Sequence, residues 1–138
     1  MINRELFLRE YGDSRDGRPP VVLLHGLFGS STNWHSIARR LSASRRVLVP
    51  DLRNHGRSPS RAPMSYQAMA DDLANLLDGQ GIDLAEIVGH SMGGKVAMWL
   101  ALTRPERVQA LVVADMAPVT YGHGFDGVLT ALRALDLD

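Results

Sequence analysis

The chain of 138 residues contains no cysteine. Disulfides, a thiol nucleophile and a thiolate-held metal are therefore excluded. Lysine is almost missing as well: Lys95 is the single one among fifteen basic residues. Fifteen acidic residues cancel that charge, so nothing global points to nucleic acid, an anionic membrane or a polyanionic substrate. The arginines crowd between Arg4 and Arg61 but are scattered among acidic and apolar residues, as on a solvated surface. No apolar run approaches the roughly 20 residues that span a bilayer. Arg4 and Glu5 interrupt the place where a signal peptide needs an unbroken apolar stretch. There is no internal repeat, low-complexity tract or linker, and 45% apolar with 22% charged residues is an ordinary globular composition. The expectation is one soluble, cytoplasmic domain at most.

What is present is an alternation of strand-like and helix-like segments. Leu6-Phe7-Leu8 reads as a short strand, ended by the polar Gly/Pro-rich run Gly12 to Pro20, a turn or hairpin connection. Val21 to Leu24 has no polar alternation, as a strand buried on both faces requires. Asn33 is placed to N-cap a helix from Trp34 to about Leu41, with Trp34, Ile37, Ala38 and Leu41 on one stripe. Arg46 to Pro50 is a second central strand, and Asp51 to Pro63 a long polar loop. Tyr66 to Leu77 is helical, its Met69, Ala70, Leu73, Leu76 and Leu77 apolar at helical spacing before Gly79-Gln80-Gly81. Ala85 to Val88 is a third central strand, Gly93 to Thr103 a helix closed by Pro105, and Val108 to Val113 a further buried strand. After the Gly-rich stretch Gly122 to Gly127, a last helix begins near Val128. Such alternation predicts an α/β fold: a mostly parallel sheet with helices on both faces.

In sheets of this kind reactive groups gather beyond the carboxyl ends of the strands. Gly89-His90-Ser91-Met92-Gly93 lies there, between strand and helix, in the context that a G-x-S-x-G nucleophile elbow demands. Small flanking residues permit the tight turn, and the serine hydroxyl is pushed out into a cleft. Acyl transfer also needs backbone N–H donors aimed at the developing oxyanion. Met92, next after the serine, supplies one; Leu27 or its neighbour Phe28 supplies the other, from the loop His25-Gly26-Leu27-Phe28-Gly29 roughly 65 positions upstream. His25 reads as a hydrogen-bonded residue shaping that loop, with Gly26 and Gly29 letting it turn. His90 reads as turned away from the serine, packed or hydrogen-bonded. Asp51, His55 and Arg57 invite a metal or phosphate site, but further convergent ligands are lacking, so they read as a loop bracing the site's floor. Asp115, after the last strand, is by position alone as much a turn cap as a triad acid. No cofactor or metal is implied: the glycines near the elbow do not form G-x-G-x-x-G, and G-x-x-x-x-G-K-[ST] is absent.

His25 to Ser30, Pro50 to Ser58, Gly89 to Lys95 and Asp115 to Val119 together resemble the α/β-hydrolase superfamily, and within it the YbfF-like esterases. The resemblance runs from about Phe7 to Asp138. It implies the α/β-hydrolase fold and hydrolysis of small-molecule acyl esters or thioesters through an acyl-serine, with Ser91 as nucleophile. It also implies Asp115, after the sixth strand of that fold, as the acid. Family members continue with a helical cap, two more strands and a loop bearing the catalytic histidine. Their order of serine, acid, histidine leaves only His123 after Ser91, eight positions beyond Asp115, and it reads as a lining residue at the entry to the cap. The expectation is thus the N-terminal part, residues 1–138, of a single hydrolase domain, with the cap region opening near 120–138. By itself it would be inactive, with Val108 to Val113 an unpaired edge through which it self-associates. Haloalkane dehalogenases and epoxide hydrolases use an elbow aspartate and do not fit Ser91; carbon–carbon bond hydrolases and perhydrolases keep serine and stay open. Outside catalysis, the alternative is a binding module that pairs with a partner through the same edge.

Overall fold

The unbroken apolar tetrads of the sequence become the middle of a sheet. The computed structural model describes residues 5–14, 16–120, 130 and 134. In chain order these form β1 (Leu8–Tyr11), β2 (Val21–Leu24), a 3₁₀ turn (Ser31–Trp34), α1 (His35–Leu41), β3 (Val47–Pro50) and α2 (Tyr66–Gly79). There follow β4 (Ala85–His90), α3 (Met92–Thr103), a second 3₁₀ turn (Pro105–Arg107) and β5 (Val108–Ala114). The strands lie in the order β1-β3-β2-β4-β5, with β1 antiparallel to β3 and every other pair parallel. β2 and β3 are buried at every position. Val-Val-Leu-Leu and Val-Leu-Val-Pro carry no side chain that needs water, which lets helices cover both faces.

On one face Val22, Leu24, Leu48 and Ile87 pack beneath α2 and α3 through Met69, Leu73, Leu77, Val96 and Leu100. On the other, Val21, Leu23, Val47 and Val49 meet Ala38 of α1, with Trp34 and Leu41 partly buried beside them. Each fully buried leucine stabilises the fold by roughly 1.5–3 kcal/mol. The α/β architecture with helices on both faces is therefore as the alternation of segments predicts. Among the described residues no helix is long and apolar enough to cross a membrane.

Several boundaries differ, each for a local reason. β1 starts at Leu8 and takes in the polar Arg9 and Glu10, because an edge strand need bury only one face. It pairs with β3, so the run from Gly12 to Pro20 is a crossing connection and not a hairpin. Ser30, not Asn33, begins the first helical turn: its hydroxyl accepts from the Thr32 amide, while the Asn33 carbonyl oxygen accepts from the Ser30 N–H at 2.7 Å. That reciprocal capping box starts the turn at Ser31, before the expected Trp34. Ile37 leaves the expected apolar stripe and is exposed. Ser65 caps α2 by accepting from the Ala68 N–H at 3.1 Å, and the helix runs on to Gly79. β4 carries on through Gly89 and His90, and α3 starts at Met92, one residue before Gly93. β5 is not buried, being exposed from Gln109 to Val112, since β4 is its single strand neighbour among the described residues. Most of the helix expected near Val128 lies outside the described residues; within it Thr130 is helical, and the Ala134 N–H donates to the Thr130 carbonyl at 3.1 Å.

The loop after β3 is fastened to α2 by charge. Asp72, on the inner side of α2, receives Arg53 at 2.6 Å and Arg61 at 2.6 Å. Arg53 and Asp72 are both buried, and Arg53 also donates to the carbonyls of Pro63 and Ala68. Removing one partner of a buried pair strands the other charge, at a cost of about 3–5 kcal/mol. Asp72→Ala should lose that amount in urea unfolding; a change no larger than an exposed substitution gives would show that the guanidinium is solvated after all.

Candidate active site

β4 ends at His90 and α3 starts at Met92, leaving Ser91 alone to turn the chain. Its backbone sits at φ 52° and ψ −117°, a region that non-glycine residues avoid and that costs on the order of 1–3 kcal/mol. The turn folds the helix back so closely that no side chain fits on either flank. A Cβ on Gly89 would lie 2.3 Å from the carbonyl oxygen of Gly93; one on Gly93 would lie 2.6 Å from those of Leu24 and His25. The two outer glycines of the motif are thus steric requirements of this turn. The Ser91 N–H donates to the Ala114 carbonyl at 3.0 Å, tying the elbow to β5. The Gly94 and Lys95 amides take the Ser91 carbonyl, at 2.9 and 3.2 Å. Met92, first residue of α3, has an N–H with no acceptor among the described residues, as helix geometry leaves it.

The loop after β2 abuts this elbow. A Cβ on Gly26 would lie 3.3 Å from the Ser91 Cβ and 3.1 Å from the His90 Nδ1. The Gly29 N–H donates to the Gly26 carbonyl at 3.0 Å, closing a turn that carries Leu27 and Phe28 in its middle. Phe28 has φ 62° and an exposed ring, whereas the Leu27 side chain is half-buried against the core. Neither amide has an acceptor among the described residues.

His25 is almost wholly buried and uses both ring nitrogens. Nε2 lies 3.0 Å from the Leu52 N–H, which can only donate, so Nε2 is the acceptor and the proton sits on Nδ1, 2.8 Å from the Gly26 carbonyl. Burial pushes its pKa below the ordinary 6.5, outweighing the Gly26 bond that works the other way. This neutral ring pins the β2 loop to the β3 loop. Beside it, Asp51 accepts from the Ser31 N–H at 2.5 Å and the Arg57 N–H at 2.9 Å. Burial pushes the Asp51 pKa up, but the amides of Arg57 and Ser31 outweigh it and hold it below 3.8. Gly56, at φ 52°, packs directly on this carboxylate: a Cβ would lie 2.1 Å from Oδ2. The His55 ring stands 5.1 Å from that of His25, its Nδ1 turned to the Arg53 carbonyl at 2.9 Å. Asp51, His55 and Arg57 form a hydrogen-bonded brace; among the described residues no three His, Asp or Glu side chains converge as a metal site would need.

Asp115 follows β5 at φ 56°, with its side chain 91% exposed. The His90 Nε2 lies 3.8 Å from its Oδ2. The expectation that His90 is packed or hydrogen-bonded needs correcting: its side chain is 48% exposed, it shares the rim with Asp115 and Gly26, and 3.8 Å to Asp115 is longer than a hydrogen bond. The reason is register, since His90 is the strand partner of Ala114 and the two strand ends carry their last side chains together. Counting the two-residue alternation through β4 would have shown it, had the strand been extended to His90. A cavity of about 290 Å³ opens here, walled by Leu27, Trp34, Ile37 and His90. A wider groove of about 1010 Å³ runs along α2 past Arg53, Asp72 and Leu76 and does not touch the elbow. His123 lies outside the described residues. So does a literal G-x-G-x-x-G, Gly122 to Gly127. It begins well after β5 has ended, not at the strand's tip where a dinucleotide fingerprint belongs.

Two outcomes test this geometry. Gly93→Ala should cost about 3 kcal/mol, the upper end for overpacking, because the neighbours that must give way are backbone oxygens. Gly79→Ala, with nothing within 4 Å of the added carbon, should be neutral or stabilising in the same melts. Equal effects at both would refute the steric account. The second outcome concerns pH. His25 binds its proton more weakly folded than unfolded, so stability should fall as pH drops below the ordinary 6.5. Below 3.8 the loss steepens as Asp51 is forced to protonate. In His25→Gln the thermal midpoint between about pH 5 and 7 should flatten; an unchanged slope would acquit His25.

The comparisons with known proteins agree with this architecture. The alpha/beta hydrolase fold model matches residues 19–134. The chain is 48% identical over 123 residues to the sn-1-specific diacylglycerol lipase ABHD11 of Mus musculus, a match covering 86% of this chain and 40% of that protein. It is 45% identical over 117 residues to Esterase YbfF of Escherichia coli K12, covering 84% of this chain and 46% of that one. Among solved structures, a marine microorganism esterase superposes with a TM-score of 0.86 at 44% identity, over 97% of this chain and 52% of the other. The chain spans less than half the length of these two curated relatives. On the strength of the model match and of the shared fold, the chain belongs to the alpha/beta hydrolase family.

Proposed function

We propose that the protein is a serine hydrolase of carboxylic esters or thioesters, working through an acyl-serine. The observation that carries this reading is Ser91 held at φ 52° between strand and helix, beside a Met92 amide that has no acceptor among the described residues. In this reading the Ser91 Oγ attacks the acyl carbon while its proton passes to a histidine. The carbonyl π bond opens to an oxyanion that the Leu27 and Met92 amides receive. Collapse expels the alcohol or thiol, which takes up the proton, and water then frees the acid by the reverse roles. Asp115 orients and charge-stabilises the histidine. That histidine is assigned outside residues 1–138, so the chain is taken as the N-terminal part of a hydrolase domain. His25, Gly26, Phe28 and His90 shape the site, and the 290 Å³ cavity beside His90 offers apolar room for part of an ester. The names of the relatives, a diacylglycerol lipase and two esterases, support the same class of bond. We place the protein in the cytoplasm, and we take the open edge of β5 to make the isolated chain self-associate.

A fluorophosphonate probe should label the full-length protein and spare its Ser91→Ala variant; no labelling of either would count against the hydrolase. The 138-residue chain alone should turn over p-nitrophenyl butyrate negligibly, because without a base the hydroxyl stays protonated and is a poor nucleophile. Robust Ser91-dependent hydrolysis would place a base within the chain, with His123 the first to test.

A further inference from the structure

The elbow motif ends at Gly93, yet the next two residues are also unlike those of an ordinary helix. Gly94 is a second glycine in the first turn of α3, and Lys95 is the single lysine of the chain. Glycine is the poorest helix former after proline, so its reason has to lie in what stands beside it. A Cβ on Gly94 would lie 2.9 Å from the Val113 Cγ1 and 3.6 Å from the Met116 Cβ. Val113 and Met116 bracket Ala114, the last residue of β5, and Asp115, the candidate acid. The missing methyl group therefore lets the chain leaving β5 lie directly on the helix.

Lys95 holds the far end of that segment. Its ammonium donates to the Val119 carbonyl, while at the near end the Ser91 N–H donates to the Ala114 carbonyl at 3.0 Å. Ser91 and Lys95 stand one helical turn apart, the Lys95 N–H returning to the Ser91 carbonyl at 3.2 Å. Residues 115–119 form neither helix nor strand, so they are strapped across the start of α3 between the nucleophile's own residue and the next turn. Asp115 sits in this strap at φ 56°, exposed, and its carboxylate accepts no hydrogen bond among the described residues. Its place is therefore set by its backbone. We infer that Lys95 is a positioning residue for Asp115: by tethering Val119 it fixes the segment that carries the acid relative to Ser91. This rests on the proposed role of Asp115 and adds what holds it in place. Without the ammonium the segment loses its far tether, the carboxylate spreads over more positions, and the imidazolium formed when the serine gives up its proton is less well stabilised.

The test uses the full-length protein and p-nitrophenyl butyrate. Lys95→Met keeps the bulk of the side chain and removes the donor, whereas Lys95→Arg keeps a donor at similar reach. Lys95→Met should lose on the order of tenfold in kcat and in kcat/KM alike, with KM little changed, and Lys95→Arg should recover most of it. A carboxylate held beside an imidazole raises its pKa, so in Lys95→Met the acidic limb of the kcat/KM profile should move to lower pH. In an Asp115→Asn background the same substitution should change nothing further, because the group it places is already gone. Lys95→Gln, shorter and uncharged, goes through the same cycle, so that one variant failing to fold leaves the comparison standing. An equal loss with and without the Asp115 carboxylate, or an acidic limb that stays in place, would overturn the inference and leave Lys95 a holder of the fold. Undiminished activity in Asp115→Asn would instead overturn the acid assignment, and this inference with it. Labelling of Ser91 by the fluorophosphonate is read separately, so the hydrolase reading stands or falls by itself.

Discussion

Everything at the rim of this sheet depends on how closely α3 approaches the ends of β2 and β4. Gly93 has no room for a methyl group because the carbonyl oxygens of Leu24 and His25 stand against its Cα, and Gly89 has none because the helix has already turned back over it. A helix placed a few ångströms farther out would satisfy its own hydrogen bonds equally well. It would lose the close approach of Ser91 to Gly26 in the β2 loop, and Ser91 would no longer need φ 52°. The strain at Ser91 is sustained by what surrounds it: the bond to Ala114, the bonds from Gly94 and Lys95, and a helix whose Val96, Ala97 and Leu100 are buried. On the order of 1–3 kcal/mol of backbone strain is small against that much buried apolar surface.

The loops facing the elbow are held by a different means, the pairing of buried polar groups with backbone amides. Asp51 accepts from Ser31, on the chain leaving the β2 loop, and from Arg57 in its own loop. His25 spans from the Gly26 carbonyl to the Leu52 amide. Each side chain thereby joins two loops, and each stays in the protonation state its bonds demand: carboxylate in one case, neutral imidazole in the other. The turn that presents Leu27 and Phe28 is thus fixed before any ligand arrives. Preorganisation of this kind is what backbone donors require if they are to stabilise charge without reorganising.

How much of this was legible in the sequence varies with the physics involved. β2 and β3 could be read because a strand buried on both faces tolerates no polar residue, and four apolar residues in a row say so. The elbow could be read because its two glycines answer to steric limits that depend only on neighbours close in sequence and on one strand. β1 was harder: Arg9 and Glu10 hide an edge strand whose existence is decided by its partner β3, and no local pattern announces antiparallel pairing at such separation. The capping box at Ser30 was not legible because Asn33 is itself a good cap, and the choice between them falls to the geometry of the preceding turn. His90 was not legible from the turn alone, because neighbours at a sharp turn are expected to point apart. The strand continues through it, and its side chain emerges with the end of β5.

β5 shows the limit of reading burial from composition. All of its seven residues but Gln109 are apolar, and by pattern alone they belong in the middle of a sheet. Yet burial is a property of neighbours. With β4 on one side and no strand among the described residues on the other, the same residues stand half in water. Apolar sequence in a strand therefore states what the strand is able to bury, and its neighbours decide how much of that is buried.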